Sequence, residues 1–275
     1  MRNRLLPILA ISACACAAGT SVAGASLIAD GPYLSHYQCY DTSGGRQPAD
    51  DDRLLTDRFG SRMVDIDAPE SFCAGAQLRT ATESDPLEGN DGADFTCYDI
   101  DGGQRPETKV LVQNEFTGST PAVLKVEHAK SLCVPTPRGT TSETVIPESA
   151  ADSLDADEGF NLYYQCYSVA GGRQPRDDVR FVRDWLGPEP ESGDDPGRRI
   201  DVDEPVRLCA PANRDGGDRV NLDGTAYMCN DIDGGQSAAY EHFFYNRLTL
   251  PRLDHMLLEG AESVCVPSTW HTASG

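Results

Sequence analysis

Positive charge, histidine and long apolar runs are scarce in this chain of 275 residues. It carries 23 Lys and Arg against 44 Asp and Glu, a formal net charge of −21. A surface this acidic repels nucleic acid and anionic membranes, which argues against both as partners. Beyond the N-terminal leader no stretch approaches the ~20 apolar residues of a membrane-spanning helix, so no transmembrane span is predicted.

Motifs for catalysis and for zinc binding are missing as well. The five histidines show no metal-ligand spacing, and no Gly-x-Ser-x-Gly turn occurs. No Cys-x-x-Cys pair follows the leader, which removes the usual zinc pattern. The sequence therefore predicts no catalytic residue and favours a protein that is not an enzyme. The alternative is a secreted hydrolase with a site in a cleft between domains.

The first 25 residues have the features of an export signal. Arg2 and Arg4 precede an apolar segment, residues 5–18, and residues 23–25 (Ala-Gly-Ala) fit a cleavage site. The alternative is a lipoprotein signal, because residues 11–14 read Ile-Ser-Ala-Cys and Cys14 would then carry the lipid. Both routes predict a secreted, periplasmic or cell-surface protein, which is lipid-anchored only in the second.

The eight cysteines after the leader show that the chain is repetitive. Those of the second half follow those of the first at intervals of 127 to 136 residues. Each half is itself double, because "FTCYDIDGGQ" (95–104) resembles "YQCYDTSGGRQP" (37–48). Repeats of this kind indicate four copies of one structural unit. The first to fourth units are residues 31–80, 93–137, 160–212 and 225–275.

Each unit contains three short segments with the character of β-strands. The first is an aromatic-x-Cys segment followed by Gly-Gly, and the second is an apolar run ending in Asp or Asn. The third alternates apolar and polar residues, which is typical of a half-buried strand, and closes on a cysteine. The sequence therefore predicts an all-β fold. It consists of two tandem domains, 31–137 and 160–275, joined by an acidic linker at 138–159, and each domain is a pseudo-twofold small barrel or sandwich.

An even number of cysteines in an exported chain indicates disulfides. The simplest pairing joins the first and last cysteine of each unit, and cross-unit pairing within a domain stays open. The predicted pairs are Cys39–Cys73, Cys97–Cys133, Cys166–Cys209 and Cys229–Cys265. Closing a loop of ~35 residues stabilises a fold by roughly 3–4 kcal/mol in the chain-entropy account.

Taken together, the motifs resemble a family of uncharacterised domains in secreted bacterial proteins. The closest matches are Cys39-Tyr40, Asp57-Arg58-Phe59 and residues 132–135, Leu-Cys-Val-Pro. Two positions depart from the pattern: Asn230 stands where tyrosine is usual, and Ala74-Gly75 follow Cys73 where proline is expected. The resemblance implies export and a β fold, and it brings no activity and no catalytic residue.

Asp-x-Asp-Gly-Gly turns are the sharpest candidates for a metal site. Asp99 and Asp101 in the second unit, and Asp231 and Asp233 in the fourth, offer carboxylates for Ca²⁺. The third acid and the closing Glu of a complete calcium loop are missing, and Asp and Gly also form ordinary turns. A calcium-dependent adhesion module is therefore an alternative function.

Two further sets of residues recur once per unit. Asp57, Asn114, Asp184 and Asn246 end the second segments, and we expect them to hydrogen-bond their own backbone there. Tyr40, Tyr98 and Tyr167 follow the first cysteines, where they pack in the core or form an exposed sugar-binding platform.

The leading prediction is an exported structural or binding module with an envelope protein or polysaccharide as its partner. Gly-Gly-Arg-Gln-Pro occurs only in the first and third units, at 44–48 and 171–175. The second unit has Gly-Gly-Gln-Arg-Pro and the fourth has Gly-Gly-Gln-Ser-Ala. Any specificity near this motif is expected to lie in the residues after the glycines, where the units differ.

Overall fold

A computed structural model describes residues 36–48, 52–80, 94–137, 163–175, 179–187, 197–215, 225–235, 237–250 and 252–273. The predicted leader, Cys14 and the predicted linker lie outside these residues. The described part is all-β and has twelve strands and no helix. The strands are β1 (His36–Gly44), β2 (Asp52–Asp57), β3 (Gly60–Thr80), β4 (Asp94–Asp101), β5 (Thr108–Gln113), β6 (Ala122–Thr136), β7 (Tyr163–Gly171), β8 (Val179–Asp184), β9 (Arg198–Arg214), β10 (Ala226–Gly234), β11 (Ser237–Phe244) and β12 (Asp254–Thr272).

Eight of these strands form a closed antiparallel ring. Its order is β1, β3, β4, β6, β7, β9, β10 and β12, and β12 pairs back with β1. Each unit contributes two neighbouring strands, and their register places the cysteines opposite each other, as in Cys39↔Cys73. Because the ring is closed, each of its strands pairs with a neighbour on both sides. The ring therefore has no unpaired edge strand of the kind that favours aggregation.

The other four strands lie outside the ring and connect opposite units. Each forms a hairpin with the long strand that follows it, as β2 does with β3. The long strands continue beyond their cysteines, and three of them pair with the outer strand of the unit opposite. These pairs are β3 with β8, β9 with β2, and β12 with β5.

The division into two separate domains, 31–137 and 160–275, is not confirmed. The strands from residue 34 to the C-terminus form one compact unit. The first unit pairs with the fourth through β1 and β12, and with the third through β3 and β8. The physical reason is the length of the third strands, because β3 continues seven residues past Cys73 into a segment that carries no apolar alternation.

The alternating pattern of the third segments is confirmed: its apolar positions form a buried face of the long strands. The positions nine and seven residues before each closing cysteine are no more than 2% exposed. They are Val64, Ile66, Leu124, Val126, Ile200, Val202, Met256 and Leu258. Burial of one face and exposure of the other is what a period of two produces on a pleated strand.

Candidate functional site

Four disulfides meet inside the ring. They join the first and last cysteine within each unit: Cys39–Cys73, Cys97–Cys133, Cys166–Cys209 and Cys229–Cys265. Neighbouring disulfides touch, with Sγ–Sγ distances of 3.5 Å, 3.9 Å, 3.4 Å and 4.0 Å between adjacent units. The eight sulfur atoms therefore close a circle, and oxidation removes these cysteines as nucleophiles.

Four aromatic rings cover one side of the sulfur circle. Each lies two residues before the first cysteine of its unit, and the four are Tyr37, Phe95, Tyr164 and Tyr227. Adjacent ring centroids lie 5.2–5.5 Å apart with planes at 78–81°, an edge-to-face square. The small space lined by these rings and by Cys73, Cys133, Cys209 and Cys265 has a volume of about 30 Å³, too small for a ligand beyond the size of water. Burial raises the pKa of Tyr227 to about 12, so its phenol stays neutral.

A charged cluster covers the opposite side of the sulfur circle. Arg207 on β9 reaches Glu70 on β3, across the ring, at 3.1 Å and Glu262 on β12 at 3.4 Å. Burial raises the pKa of the Glu262 carboxyl to about 7. The Arg207 guanidinium opposes this rise, and Asp41 and Glu70 add to it. Arg207 therefore links three units.

The recurring Asp or Asn caps the turn after each outer strand, as predicted. In every unit its Oδ1 accepts hydrogen bonds from backbone N–H groups two or three residues later. The bonds are Asp57 with Phe59 (2.7 Å), Asn114 with Phe116 and Thr117 (both 3.0 Å), Asp184 with Leu186 (3.0 Å) and Gly187 (3.1 Å), and Asn246 with Leu248 (2.9 Å) and Thr249 (3.2 Å).

The same side chains also bind tyrosines of the opposite unit, which was not predicted. The pairs are Tyr167 donating to Asp57 (2.5 Å), Tyr40 donating to Asp184, and Asn246 donating to Tyr98 (2.9 Å). Tyr40, Tyr98 and Tyr167 are no more than 1% exposed, so they form no sugar-binding platform. The signal in the sequence was the shared recurrence of Cys-Tyr and of the strand-ending Asp or Asn.

The one unit that lacks this tyrosine also lacks the bond. Asn230 occupies the position in the fourth unit, and its Nδ2 donates to the carbonyl of Asp203 at 2.7 Å. Asn114, the residue that such a tyrosine would bind, donates instead to Ser268 Oγ at 2.9 Å. Asparagine in place of tyrosine at position 230 therefore changes one of four contacts between opposite units.

The glycines of the two Gly-Gly-Arg-Gln-Pro segments pack against prolines of a neighbouring long strand. Gly45 has φ +79° and Gly172 has φ +98°, a region that side chains other than glycine rarely adopt. A Cβ on Gly45 would lie 2.8 Å from Pro69, and one on Gly172 would lie 2.9 Å from Pro205. Only glycine therefore fits these positions.

The glutamine and proline of each segment also have structural contacts. Gln47 donates to Asp67 Oδ1 at 3.3 Å, and Gln174 donates to Asp203 Oδ1 at 2.8 Å. The prolines at 48 and 175 are buried. The arginine side chain is exposed in both copies, at Arg46 and at Arg173, as are the side chains of Gln47 and Gln174.

Each of these arginines lines a cleft. The larger cleft, about 520 Å³, lies between residues 115–123 of the second unit and residues 172–175 of the third, with Arg180 in its wall. The smaller cleft, about 240 Å³, lies between residues 248–254 of the fourth unit and residues 46–48 of the first. The two clefts use corresponding loops, because each joins the end of one unit's outer hairpin to the Gly-Gly turn of the next unit.

The predicted calcium ligands are exposed but do not assemble into a metal site. Asp99 and Asp101 end β4, and Asp231 and Asp233 end β10, all with exposed side chains. Across the described ranges, no group of three or more His, Cys, Asp or Glu side chains is arranged to hold a metal. Calcium binding at these turns stays a prediction.

A serine–histidine contact, of the kind that a hydrolase could use, lies between Ser168 and His128. Ser168 Oγ lies 3.0 Å from His128 Nδ1 and 3.3 Å from the His128 carbonyl oxygen. Neither residue lines the larger or the smaller cleft. The contact joins β6 to β7 and is explained by strand packing.

Comparisons with known proteins give no family. No protein-family model, no curated protein and no solved structure matches the chain. The resemblance to secreted bacterial domains therefore stays a prediction. Among the residues that the structure describes, no helix has the length and apolar character needed to cross a membrane.

Proposed function

We propose that the protein is an exported, non-enzymatic binding module that contacts its ligand at the larger and smaller clefts. One observation carries the proposal. In Gly-Gly-Arg-Gln-Pro the second glycine is closely packed, the glutamine bonds an aspartate and the proline is buried, whereas the arginine side chain is exposed on a cleft in both copies. An exposed arginine that recurs at the same place on two clefts is a candidate for binding.

The scaffold supports this proposal because it holds the cleft walls in place. The strand ring is closed, and four disulfides lie at its centre. A preformed site loses little conformational entropy when a ligand binds, which favours affinity. Both clefts lie between units, so their shape depends on the closed ring. An envelope polysaccharide or protein is the proposed class of partner.

Binding is tested with the oxidised mature chain on an array of envelope polysaccharides and envelope proteins. Arg46→Ala/Arg173→Ala is compared with Arg62→Ala, an exposed arginine on β3 outside both clefts. We expect binding by the wild type, loss in the double variant and retention in the control. Equal binding by all three proteins, or no binding at all, would contradict the proposal. Release of shortened products from the array would favour the hydrolase instead.

Export is supported by the four disulfides, since such bonds persist mainly in oxidising compartments. Fractionation of cells that express the full chain is expected to place the protein outside the cytoplasm. Palmitate labelling of the wild type that is lost in Cys14→Ala would identify the lipoprotein route. Labelling that is absent from both, with cleavage near residue 25, would identify the ordinary signal peptide.

A further inference from the structure

We infer that the larger cleft is an anion site that binds the carboxylate or sulfate groups of an acidic polysaccharide. This inference rests on the proposed binding function and names its ligand class. The strand register gives each position in the larger cleft a counterpart in the smaller cleft. Gly171 pairs with Leu124 as Gly44 pairs with Met256.

One charge differs between the corresponding positions. In the smaller cleft Asp254 lies opposite Phe244, and in the larger cleft Ala122 lies opposite Val112. Asp254 is 4% exposed, and its carboxylate accepts the backbone N–H of Arg46 at 2.7 Å. Its other oxygen lies 4.0 Å from Arg46 Nε. The smaller cleft therefore supplies its own counter-charge.

The larger cleft has no acid at this position. Alanine at position 122 has no carboxylate, and Arg173 has no ion-pair partner among the residues that the structure describes. A charge in a concave site with a low-dielectric wall attracts counter-ions more strongly than the same charge on an open surface. Arg173 is thus placed to bind an anion from solution.

A second guanidinium strengthens the site. Arg180 lines the larger cleft, is 9% exposed, and lies with its Cζ 5.5 Å from the centroid of the Phe116 ring. Its Nη1 donates to the Val179 carbonyl at 3.0 Å, so Arg180 is fixed in the cleft wall and adds positive potential there. The acid in the cleft wall is Glu115, whose carboxylate lies 3.4 Å from His36 Nε2.

The ligand class follows from the shape of the site and from its charge. Guanidinium groups bind carboxylate and sulfate oxygens with two parallel hydrogen bonds. A volume of about 520 Å³ falls within the usual range for ligand sites. Ser119 and Thr120 add exposed hydroxyl groups, which suit sugar hydroxyls.

The test is calorimetric titration with three defined probes: oligogalacturonate, sulfated dextran oligosaccharide and neutral dextran oligosaccharide. We expect an acidic probe to bind, and Arg173→Ala and Ala122→Asp to weaken that binding by about tenfold or more. Arg62→Ala, an exposed arginine on β3 outside both clefts, is the control and should change the affinity less than about twofold. Binding of oligogalacturonate alone identifies a carboxylated ligand, and binding of sulfated dextran alone identifies a sulfated one.

Three results would overturn the inference. The first is binding of an acidic probe with an affinity that Ala122→Asp and Arg173→Ala leave unchanged. The second is equal binding of the neutral and acidic probes, and the third is no binding of any acidic probe. The anion site and the wider binding function can fail separately. A neutral ligand that binds the wild type but not Arg46→Ala/Arg173→Ala would support binding at the clefts and contradict the anion site. Thermal unfolding of each variant shows whether it retains the fold.

Discussion

Replacing Asp57 by alanine removes two hydrogen bonds, one within the first unit and one to the third. The Asp57 carboxylate is 4% exposed and accepts the Phe59 N–H at 2.7 Å and the Tyr167 hydroxyl at 2.5 Å. Without it, a buried N–H and a buried hydroxyl lose their acceptor. At about 1–3 kcal/mol for each unsatisfied group, we expect Asp57→Ala to lower the free energy of unfolding by about 2–6 kcal/mol.

Asp57→Asn separates the role of the hydrogen bonds from the role of the charge. Asn246 already makes the equivalent contacts in the fourth unit, capping its turn and donating to Tyr98 at 2.9 Å. We therefore expect Asp57→Asn to lie within about 1 kcal/mol of the wild type at pH 7. An amide of the same shape keeps the cap and reverses the direction of the bond to Tyr167.

The pH dependence of the asparagine variant has a definite sign. Burial raises the pKa of the Asp57 carboxyl from its ordinary value of 3.8, although the Tyr167 bond opposes the shift. A carboxyl with a raised folded-state pKa stabilises the fold below pH 3.8, and that contribution is lost as the pH rises through the folded-state pKa. The stability of Asp57→Asn relative to the wild type should therefore improve as the pH rises.

Equilibrium unfolding in guanidinium chloride, with intact disulfides, measures these differences. Asp99→Ala, an exposed acid on β4, is the control and should change stability by less than about 0.5 kcal/mol. A wild-type midpoint for Asp57→Ala would show that the contact between opposite units carries no stability. An equal loss in Asp57→Asn and Asp57→Ala would refute the argument from shape and hydrogen bonding.

Three other perturbations have expected outcomes. Burial lowers the pKa of His242 from 6.5 to about 4. As the pH falls through these two values, the unfolded chain binds the proton first, so the free energy of unfolding of the wild type should fall by about 3 kcal/mol. His242→Gln should flatten this slope in unfolding curves and His271→Gln, at an exposed site, should not; equal slopes would contradict the assignment. Gly172→Ala should lower the melting temperature well beyond Gly118→Ala, because both have positive φ but only position 172 is crowded; similar losses would show that crowding adds nothing. Removing Cys97–Cys133 as a Ser pair should cost about 4 kcal/mol for a separation of 36 residues, and a non-reducing peptide map should still find the other three bonds in place.

Local features of the chain were predictable because they depend on short stretches of sequence. Alternation before each cysteine identified the long strands, and Val64 and Ile66 are buried as expected. The recurrence of Asp57 and its counterparts indicated a cap on the following turn, which the structure confirms. Both inferences depend on contacts between residues a few positions apart, where backbone periodicity and side-chain reach decide the outcome.

The candidate site could be predicted only in outline. The sequence pointed to the residues after the paired glycines, and Arg46 and Arg173 do line clefts. It did not show that Arg46 has Asp254 beside it, whereas the corresponding position in the cleft of Arg173 is Ala122. These neighbours come from a different unit, and their proximity depends on the closure of the strand ring.

The sequence by itself determined the all-β class and the strand-forming segments, since periodicity and turn residues act over a few positions. It also favoured the within-unit cysteine pairs that the structure contains. Only the tertiary structure decided that four units close into one ring instead of two domains, because that choice depends on pairing between strands more than a hundred residues apart, such as β3 with β8. Long-range pairing is set by total burial and hydrogen bonding over the whole fold, and no local pattern reports it.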